Sequence, residues 1–133
     1  MYLLDTNVCI RFLNGTSASL TERLRAVPRT QVRLSSIVKA ELLYGARNSS
    51  RIAENLRLLE RFFDTIASLP FDDDCAEEYG LLREELGRAG TPIGPNDLLV
   101  AATARAHHAI LVTHNTREFS RGAGLHLEDW ESP

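Results

Sequence analysis

Four polar residues occupy positions from which they could form one reactive site: Asp5, Glu41, Asp97 and Asn115. Three of them supply carboxylates, and the fourth supplies an amide oxygen. If these side chains converge, the like charges raise one another's pKa unless a cation compensates them. A set of oxygen ligands selects a hard cation, Mg²⁺ or Mn²⁺, over zinc. Such a site suits phosphodiester hydrolysis, because the metal lowers the pKa of a bound water and offsets charge on the leaving group.

Asp5 directly follows the short apolar run Tyr2-Leu3-Leu4, which is predicted to be a strand. Ligands of open α/β sheets bind beyond the carboxyl ends of the strands, so Asp5 could be a metal ligand or a catalytic acid. Asp5 or Asn7 could equally cap the helix that follows. Both interpretations stay open for this stretch taken alone.

Glu41 lies in a predicted helix over residues 37–46. At helical spacing it falls on the same stripe as Ile37, Ala40 and Tyr44, which we expect to face inward. A glutamate in an apolar stripe costs folding free energy unless it is paired, hydrated or bound to a cation. The alternative is a glutamate at the edge of the stripe that simply reaches solvent.

Asp97 and Asn115 stand at the ends of two strongly apolar elements. Asp97 precedes a predicted helix over residues 98–107 that is rich in small residues. Because Asn96 can already cap this helix, the Asp97 carboxylate is in excess, which favours a functional role. Asn115 follows a predicted buried strand over residues 109–113, so it should lie at the same sheet edge as Asp5.

Strands alternate with helices along the chain, which predicts a three-layer α/β/α fold with a mostly parallel sheet. The run Asp72-Asp73-Asp74 superficially suggests a metal cluster, but it opens a helix, with Asp74 and Glu77 as a capping box. The predicted strands cover residues 2–5, 31–34, 66–71, 109–113 and 125–127, and the predicted helices cover residues 8–13, 17–27, 37–46, 51–63, 72–88 and 98–107.

The 133 residues predict a single domain over 1–133 that is large enough for a proper core. Apolar runs are too short for a membrane span, and because no basic region is followed by an apolar stretch typical of a signal peptide, we do not expect a secreted protein. Cys9 and Cys75 have no close partner in sequence and are predicted to be buried thiols in a reducing compartment, which favours the cytoplasm.

The net charge of −3 conceals an uneven distribution. Residues 1–61 carry ten Lys and Arg against five acids, whereas residues 62–133 carry five Arg against thirteen acids. Such asymmetry suggests a polyanionic partner for the basic half. Solvated helix faces explain it equally well.

Other kinds of catalytic site have less support. The histidines lack the His-x₃-His spacing and the Cys partners of a zinc site, and His107 with His108 is predicted to mark a helix end. A Gly-x-Ser-x-Gly motif and a phosphate-binding glycine loop before Lys are both missing. A phosphoaspartyl mechanism with Asp5 as nucleophile remains open, although Asn7 stands where such phosphatases typically have a second aspartate.

Four segments, in order along the chain, together resemble the PIN-domain proteins and more narrowly the VapC toxins of bacterial toxin–antitoxin pairs. The resemblance extends from residue 2 to residue 119, and no single segment would suffice. The segments are Tyr2-Leu3-Leu4-Asp5-Thr6-Asn7, Ser36-Ile37-Val38-Lys39-Ala40-Glu41-Leu42-Leu43-Tyr44-Gly45, Ile93-Gly94-Pro95-Asn96-Asp97-Leu98-Leu99-Val100-Ala101-Ala102 and Leu111-Val112-Thr113-His114-Asn115-Thr116-Arg117-Glu118-Phe119.

This resemblance implies a Mg²⁺-dependent endoribonuclease that cleaves structured RNA, often tRNA, with Mn²⁺ as a plausible substitute. It implies a homodimer inhibited by a VapB-type antitoxin. By position, Asp5 and Asp97 match the metal-binding acids of the family and Glu41 matches its further essential acid. The side chains that would support these acids are Thr6, Asn7 and Thr113.

Asn115 departs from the wider family pattern, which often has an aspartate at this position. A neutral amide holds a divalent ion less strongly than a carboxylate does, so a second tightly bound metal is in doubt. Glu118 either supplies the missing charge or is simply exposed. Rival functions are a binding module that has lost its chemistry and an interaction subunit that uses the helices 17–27 and 51–63. These two helices could also form the homodimer surface or the antitoxin contact.

Overall fold

The computed structural model describes residues 1–132, so Pro133 of the predicted domain lies outside the described residues. Strands and helices alternate as predicted, and a short 3₁₀ helix at Arg29–Gln31 precedes the second strand. The strands are β1 (Tyr2–Leu4), β2 (Val32–Ser35), β3 (Ala67–Leu69), β4 (Ile110–Val112) and β5 (His126–Glu128). The helices are α1 (Thr6–Asn14), α2 (Ala18–Ala26), α3 (Ser36–Arg47), α4 (Ile52–Thr65), α5 (Asp73–Ala89), α6 (Pro95–Ala106) and α7 (Thr116–Phe119).

The five strands form one sheet in the order β3-β2-β1-β4-β5, and every neighbouring pair is parallel. Leu3 and Leu4 of the central strand are both fully buried. Because successive strand residues point to opposite faces, helices must cover the sheet on both sides. The predicted α/β/α fold is therefore confirmed, and the sheet is entirely parallel.

The strand order reverses next to β1, because β2 lies on one side of it and β4 on the other. Leu4 is in register with Val112, and the backbone N–H of Asp5 donates to the Val112 carbonyl at 3.1 Å. The two strands therefore end side by side and deliver Asp5 and Thr113 to the same crevice. A crevice at such a switch point is the usual ligand site of an open α/β sheet.

Helix α3 buries a different face from the predicted one. Its buried residues are Val38, Leu42 and Ala46, whereas Tyr44 is 70% exposed. The helix carries apolar residues on two stripes, and spacing alone could not tell which of them packs against the core. Glu41 lies beside the buried stripe and is half-buried.

Helix α4 also departs from its predicted packing. We expected Ile52 to face inward with Leu56, Leu59 and Phe63, but Ile52 is exposed and the buried pair is Leu59 and Phe62. Ile52 lies in the first turn of α4, where 43% of its surface is exposed, and the buried residues come later in the helix. This leaves an apolar surface beside α3.

Helix α6 begins three residues earlier than predicted. Pro95 occupies its first turn after Gly94, and no side chain caps it. The fixed φ of proline is already helical and its missing N–H costs nothing at this position, so the helix can start there. The prediction that Asn96 caps the helix is wrong, and Asp97 lies inside the first turn.

Helix α5 is capped by an aspartate, as predicted, but by a different one. The Oδ1 atom of Asp72 accepts a hydrogen bond from the Cys75 backbone N–H at 3.1 Å. The predicted capping box of Asp74 and Glu77 is therefore wrong. The helix starts two residues earlier than that box requires, which leaves Asp74 within its first turn.

The last strand lies at the edge of the sheet, as predicted, and pairs in parallel with β4. The segment that follows it packs back onto the domain. Trp130 is buried, with its ring centroid 5.0 Å from that of Tyr2, and Glu131 forms an ion pair with Arg11 at 3.1 Å. Within residues 1–132, no helix has both the length and the apolar character needed to cross a membrane.

Candidate active site

Four carboxylates surround the crevice at the carboxyl ends of β1 and β4. The pKa of Asp97 is raised from 3.8 to about 6, first by burial and then by the negative charges of Glu118, Asp5 and Glu41. The structure thus brings together the three acids singled out in the sequence, although they come from β1, α3 and α6. Glu118 from α7, which the sequence left either to supply the missing charge or to be exposed, is the fourth acid.

Asp5 is both a helix cap and a member of this acidic group. Its Oδ1 atom accepts a hydrogen bond from the Val8 backbone N–H at 2.8 Å, which caps α1. Burial raises the pKa of the Asp5 carboxyl, while hydrogen bonds from Thr113 and Val8 act in the opposite direction. The two interpretations of Asp5 are therefore compatible, because capping uses only one of the two carboxylate oxygens.

Thr113 and Thr6 hold the acids in place. The Thr113 hydroxyl contacts the Asp5 carboxylate and accepts a hydrogen bond from the Asn115 backbone N–H at 3.0 Å. The Thr6 hydroxyl donates to Oε1 of Glu41 at 2.7 Å, which links the start of α1 to α3. Asn7, next to Thr6, is exposed. A supporting role for these three residues stays a prediction.

Asn115 and Glu118 form a connected pair at the start of α7. Nδ2 of Asn115 donates to Oε2 of Glu118 at 2.9 Å, and the Gly94 backbone N–H donates to Oε1 at 3.2 Å. These two hydrogen bonds hold the pKa of the Glu118 carboxyl below its usual range. Glu118 is half-buried and acts electrostatically on Asp97, which favours the alternative in which it supplies the charge that Asn115 lacks.

The donor set fits a hard divalent cation. The side chains facing Asp97 offer oxygen atoms, and the pKa of Asp97 is raised by burial and then by the negative charges of these neighbours, which a bound cation would offset. Across residues 1–132, the triplets of His, Cys, Asp or Glu with all ligand atoms within 4.8 Å of one another do not include Asp97. The acids are spaced more widely than a closed ligand cage, which suits Mg²⁺, an ion that keeps several of its waters.

Two charged neighbours of Asp5 were missed in the sequence. The positive charge of Arg11 lowers the pKa of Asp5 and the negative charge of Glu131 raises it, while the two form an ion pair with each other. Arg11 could not have been singled out by helical spacing, because it lies six residues after Asp5 and neighbours on one helix face lie three or four residues apart. Glu131 gave no signal, because it reaches the site only through the folding back of the C-terminal segment.

Comparison with known proteins agrees with this geometry. The family model described as the PIN domain matches residues 2–125. The chain is similar to the tRNA(fMet)-specific endonuclease VapC of Shigella flexneri, with 41% identity over 129 residues that cover 97% of each chain. The chain therefore belongs to the PIN-domain family.

Solved structures agree with this family assignment and indicate which members of the family the chain resembles. The fold is similar to that in a DNA-bound VapBC structure from Salmonella typhimurium, with a TM-score of 0.92, 37% identity and 97% of each chain covered. It is equally similar to VapBC2 of Rickettsia felis bound to a DNA fragment from their promoter, with a TM-score of 0.91, 39% identity and coverage of 97% of this chain and 98% of that one. Within the PIN domains, the relatives of this nuclease are the VapC ribonucleases, which confirms the resemblance noted in the sequence.

Proposed function

We propose that this protein, over residues 1–133, is a Mg²⁺-dependent endoribonuclease toxin of a type II toxin–antitoxin pair. It cleaves structured RNA, with tRNA as the proposed substrate, in the cytoplasm, and Mn²⁺ can replace Mg²⁺. It forms a homodimer, and a cognate VapB-type antitoxin binds it and inhibits it. The observation that carries this proposal is the convergence of Asp5, Glu41 and Glu118 on the half-buried Asp97.

Each side chain has a distinct role in this mechanism. Asp5 and Asp97 hold the metal, and Glu41 assists directly or through a water. When bound by these acids, a divalent ion would supply a water of lowered pKa for attack on the scissile phosphate and would offset charge on the leaving oxygen. Asn115 orients the water or a coordinated ligand through its amide oxygen, because its amide nitrogen is already used by Glu118.

Four neighbours keep this arrangement rigid. Thr113 fixes the Asp5 carboxylate and Thr6 fixes the Glu41 carboxylate, so that neither acid has to be ordered when the metal binds. Asn7 follows Thr6 in α1 and is exposed, and its supporting role rests on its position in the family motif. Glu118 contributes negative charge in place of the aspartate that the wider family often has at the position of Asn115.

An RNA substrate fits the charge distribution and the relatives. The Shigella flexneri protein is named as specific for tRNA(fMet), and this chain shares 41% of its residues. Exposed arginines on α3 and α4, among them Arg47, Arg57 and Arg61, lie in the basic half of the chain and can bind phosphates. Such binding should weaken steeply as salt is added.

Replacing Asp5 with asparagine tests the nuclease. Asparagine is as good a helix cap as aspartate, so α1 should still form, while one metal-binding charge is lost. We expect the variant to cleave RNA in Mg²⁺ at least about 100-fold more slowly than the unaltered protein. Excess EDTA should stop cleavage by the unaltered protein. Cleavage is measured on total tRNA, with circular dichroism to show that the variant is folded.

The matched control is Asp64→Asn, which alters an exposed aspartate of α4. This variant should cleave at the rate of the unaltered protein. A folded Asp5→Asn protein that retains this rate would show that the acids are not catalytic and would favour the RNA-binding module. Undiminished cleavage in EDTA would instead indicate a reaction without metal.

The antitoxin contact is proposed at an apolar groove between α1, α3 and α4. Its walls include Ile10, Leu42, Leu58 and Leu59, and Glu41 lies at its edge. A segment that fills the groove with apolar side chains can therefore direct a basic side chain towards the acids and displace the metal. The sequence suggested two helices for this contact. The helix predicted over residues 51–63 lines the groove, whereas the helix predicted over residues 17–27 does not.

A charge placed in the groove should separate inhibition from catalysis. Leu58 is 40% exposed there, and Leu58→Asp should weaken antitoxin binding while RNA cleavage by the free toxin continues. Leu81→Asp on α5 is the matched control, because Leu81 is 51% exposed and lies outside the groove. Binding is measured by titrating the cognate antitoxin against cleavage. Equal inhibition of both variants would contradict this placement.

A further inference from the structure

A second cluster of metal-binding side chains lies at the far end of the α5–α6 hairpin from Asp97. It consists of Asp72, Cys75 and His107, each of which offers one ligand atom, and these atoms all lie within 4.8 Å of one another. Asp72 and Cys75 come from the start of α5, and His107 ends α6. About 15 Å of helix separates His107 from Asp97, at 1.5 Å per residue.

The His107 side chain has a buried ring nitrogen, Nε2, without a hydrogen-bond partner in residues 1–132. The nearest charged atom is Oδ2 of Asp72 at 3.8 Å, too far for a hydrogen bond. A buried ring nitrogen normally binds a hydrogen-bonding group, a water or a metal.

The other two side chains each place a ligand atom close to His107. Asp72 caps α5 with Oδ1, and its carboxylate also forms a hydrogen bond with the Cys75 side chain. The Cys75 thiol is buried, and it contacts the Asp72 and Thr103 side chains as well as the Pro70 carbonyl oxygen at 3.8 Å. Helix capping and core packing therefore explain Asp72 and Cys75 separately, but they leave the nitrogen of His107 without a partner.

We propose that Asp72, Cys75 and His107 bind a Zn²⁺ ion. Thiolate, imidazole and carboxylate are the three ligand types of protein zinc sites, and zinc prefers this mixed set to the all-oxygen group around Asp97. Water completes the tetrahedron, since the Asp72 side chain is partly exposed. Binding replaces the thiol proton of Cys75, which is released to solvent, and no other bond changes.

Zinc in this position would fasten the two ends of the hairpin that carries Asp97. Near the open end of this hairpin, the Arg105 guanidinium of α6 already forms ion pairs with two glutamates of α5, Glu78 at 2.6 Å and Glu85 at 3.0 Å. The ion would add a link between the start of α5 and the end of α6. We therefore expect zinc to raise the thermal midpoint without taking part in RNA cleavage.

Cobalt(II) tests the site directly, because a cobalt–thiolate bond gives a charge-transfer band in the near ultraviolet and oxygen ligands do not. The full chain is titrated with Co²⁺ and then with Zn²⁺. We expect one equivalent of Co²⁺ to produce the band and Zn²⁺ to remove it. Cys75→Ala should abolish the band, and His107→Gln should weaken Co²⁺ binding roughly 100-fold.

The matched control is Cys9→Ala, because Cys9 is the other buried thiol and lies near Asp5. This variant should keep the band. A band that disappears with Cys9 rather than Cys75, or a protein that gives no band, would overturn the proposal. Cys75→Ala should retain Mg²⁺-dependent RNA cleavage, so failure of the zinc site and failure of the proposed nuclease are distinguishable.

Discussion

Replacement of Asp97 by asparagine should abolish RNA cleavage and at the same time stabilise the metal-free protein. Burial of Asp97, followed by the negative charges of Glu118, Asp5 and Glu41, raises its pKa to about 6. The neutral amide removes this repulsion and also removes a metal ligand. Because Asp97 is only partly buried, we expect a gain of about 1 kcal/mol after allowing for solvent screening, or a rise of about 3 °C in the thermal midpoint.

The pH dependence follows from the direction of the shift. A carboxyl whose pKa is higher in the folded state than in the unfolded state binds its proton more tightly when folded, so ionisation costs stability. This cost is absent below about pH 4 and grows until the pH exceeds the folded pKa of about 6. The advantage of Asp97→Asn should therefore vanish in acid and be complete near pH 7.

Thermal melts in EDTA at pH 4 and pH 7 measure this effect, and added Mg²⁺ provides a second test. Mg²⁺ should stabilise the unaltered protein and leave Asp97→Asn unchanged, since a ligand stabilises only the state that binds it. Asp64→Asn is again the control and should shift neither melt. A variant that is less stable than the unaltered protein at pH 7 would contradict the crowding of acids around Asp97.

Truncation of Leu4 should have the largest effect on stability. Leu4 is fully buried in the central strand, directly before Asp5. Leu4→Ala removes buried methyl groups and leaves a cavity between the sheet and its helices, which costs about 3 kcal/mol. A loss of this size is a large part of the roughly 5–15 kcal/mol by which a domain is stable.

Urea unfolding followed by circular dichroism measures this loss as a lower midpoint at an unchanged slope. Leu81→Ala is the matched control, because Leu81 is about half exposed and should lose no more than about 1 kcal/mol. Equal losses in the two variants would contradict the central, doubly covered position of β1. The measurement is made in EDTA so that metal binding does not mask the difference.

Several features of the site followed from short stretches of sequence. The apolar runs before Asp5 and Asn115 predicted two strand ends, and alternation with helices predicted that the strands are parallel. Parallel strands end at the same edge of a sheet, so these two residues had to be neighbours if β1 and β4 paired. The motif order from residue 2 to 119 also identified the PIN-domain family, which the match over residues 2–125 confirms.

Other features depended on choices that the sequence left undecided. Helix α3 has two apolar stripes, and only packing against its neighbours selected Val38 and Leu42 over Tyr44. The start of α6 depended on Pro95, which can open a helix as readily as it can end a loop. In both cases the local pattern was compatible with two local structures: either stripe of α3 could be buried, and α6 could begin before or after Asp97. Tertiary contacts selected one structure in each case.

The sequence by itself determined the fold class, the family and the acids Asp5, Glu41 and Asp97 as candidates. Only the tertiary structure brought Glu118 to Gly94 and Asp97, and only it set Cys75 beside His107. The physical reason is the range of the interactions. Hydrophobic periodicity and helix capping act within a few residues, whereas a pKa or a ligand set depends on every charge within a few ångströms, whatever its position along the chain.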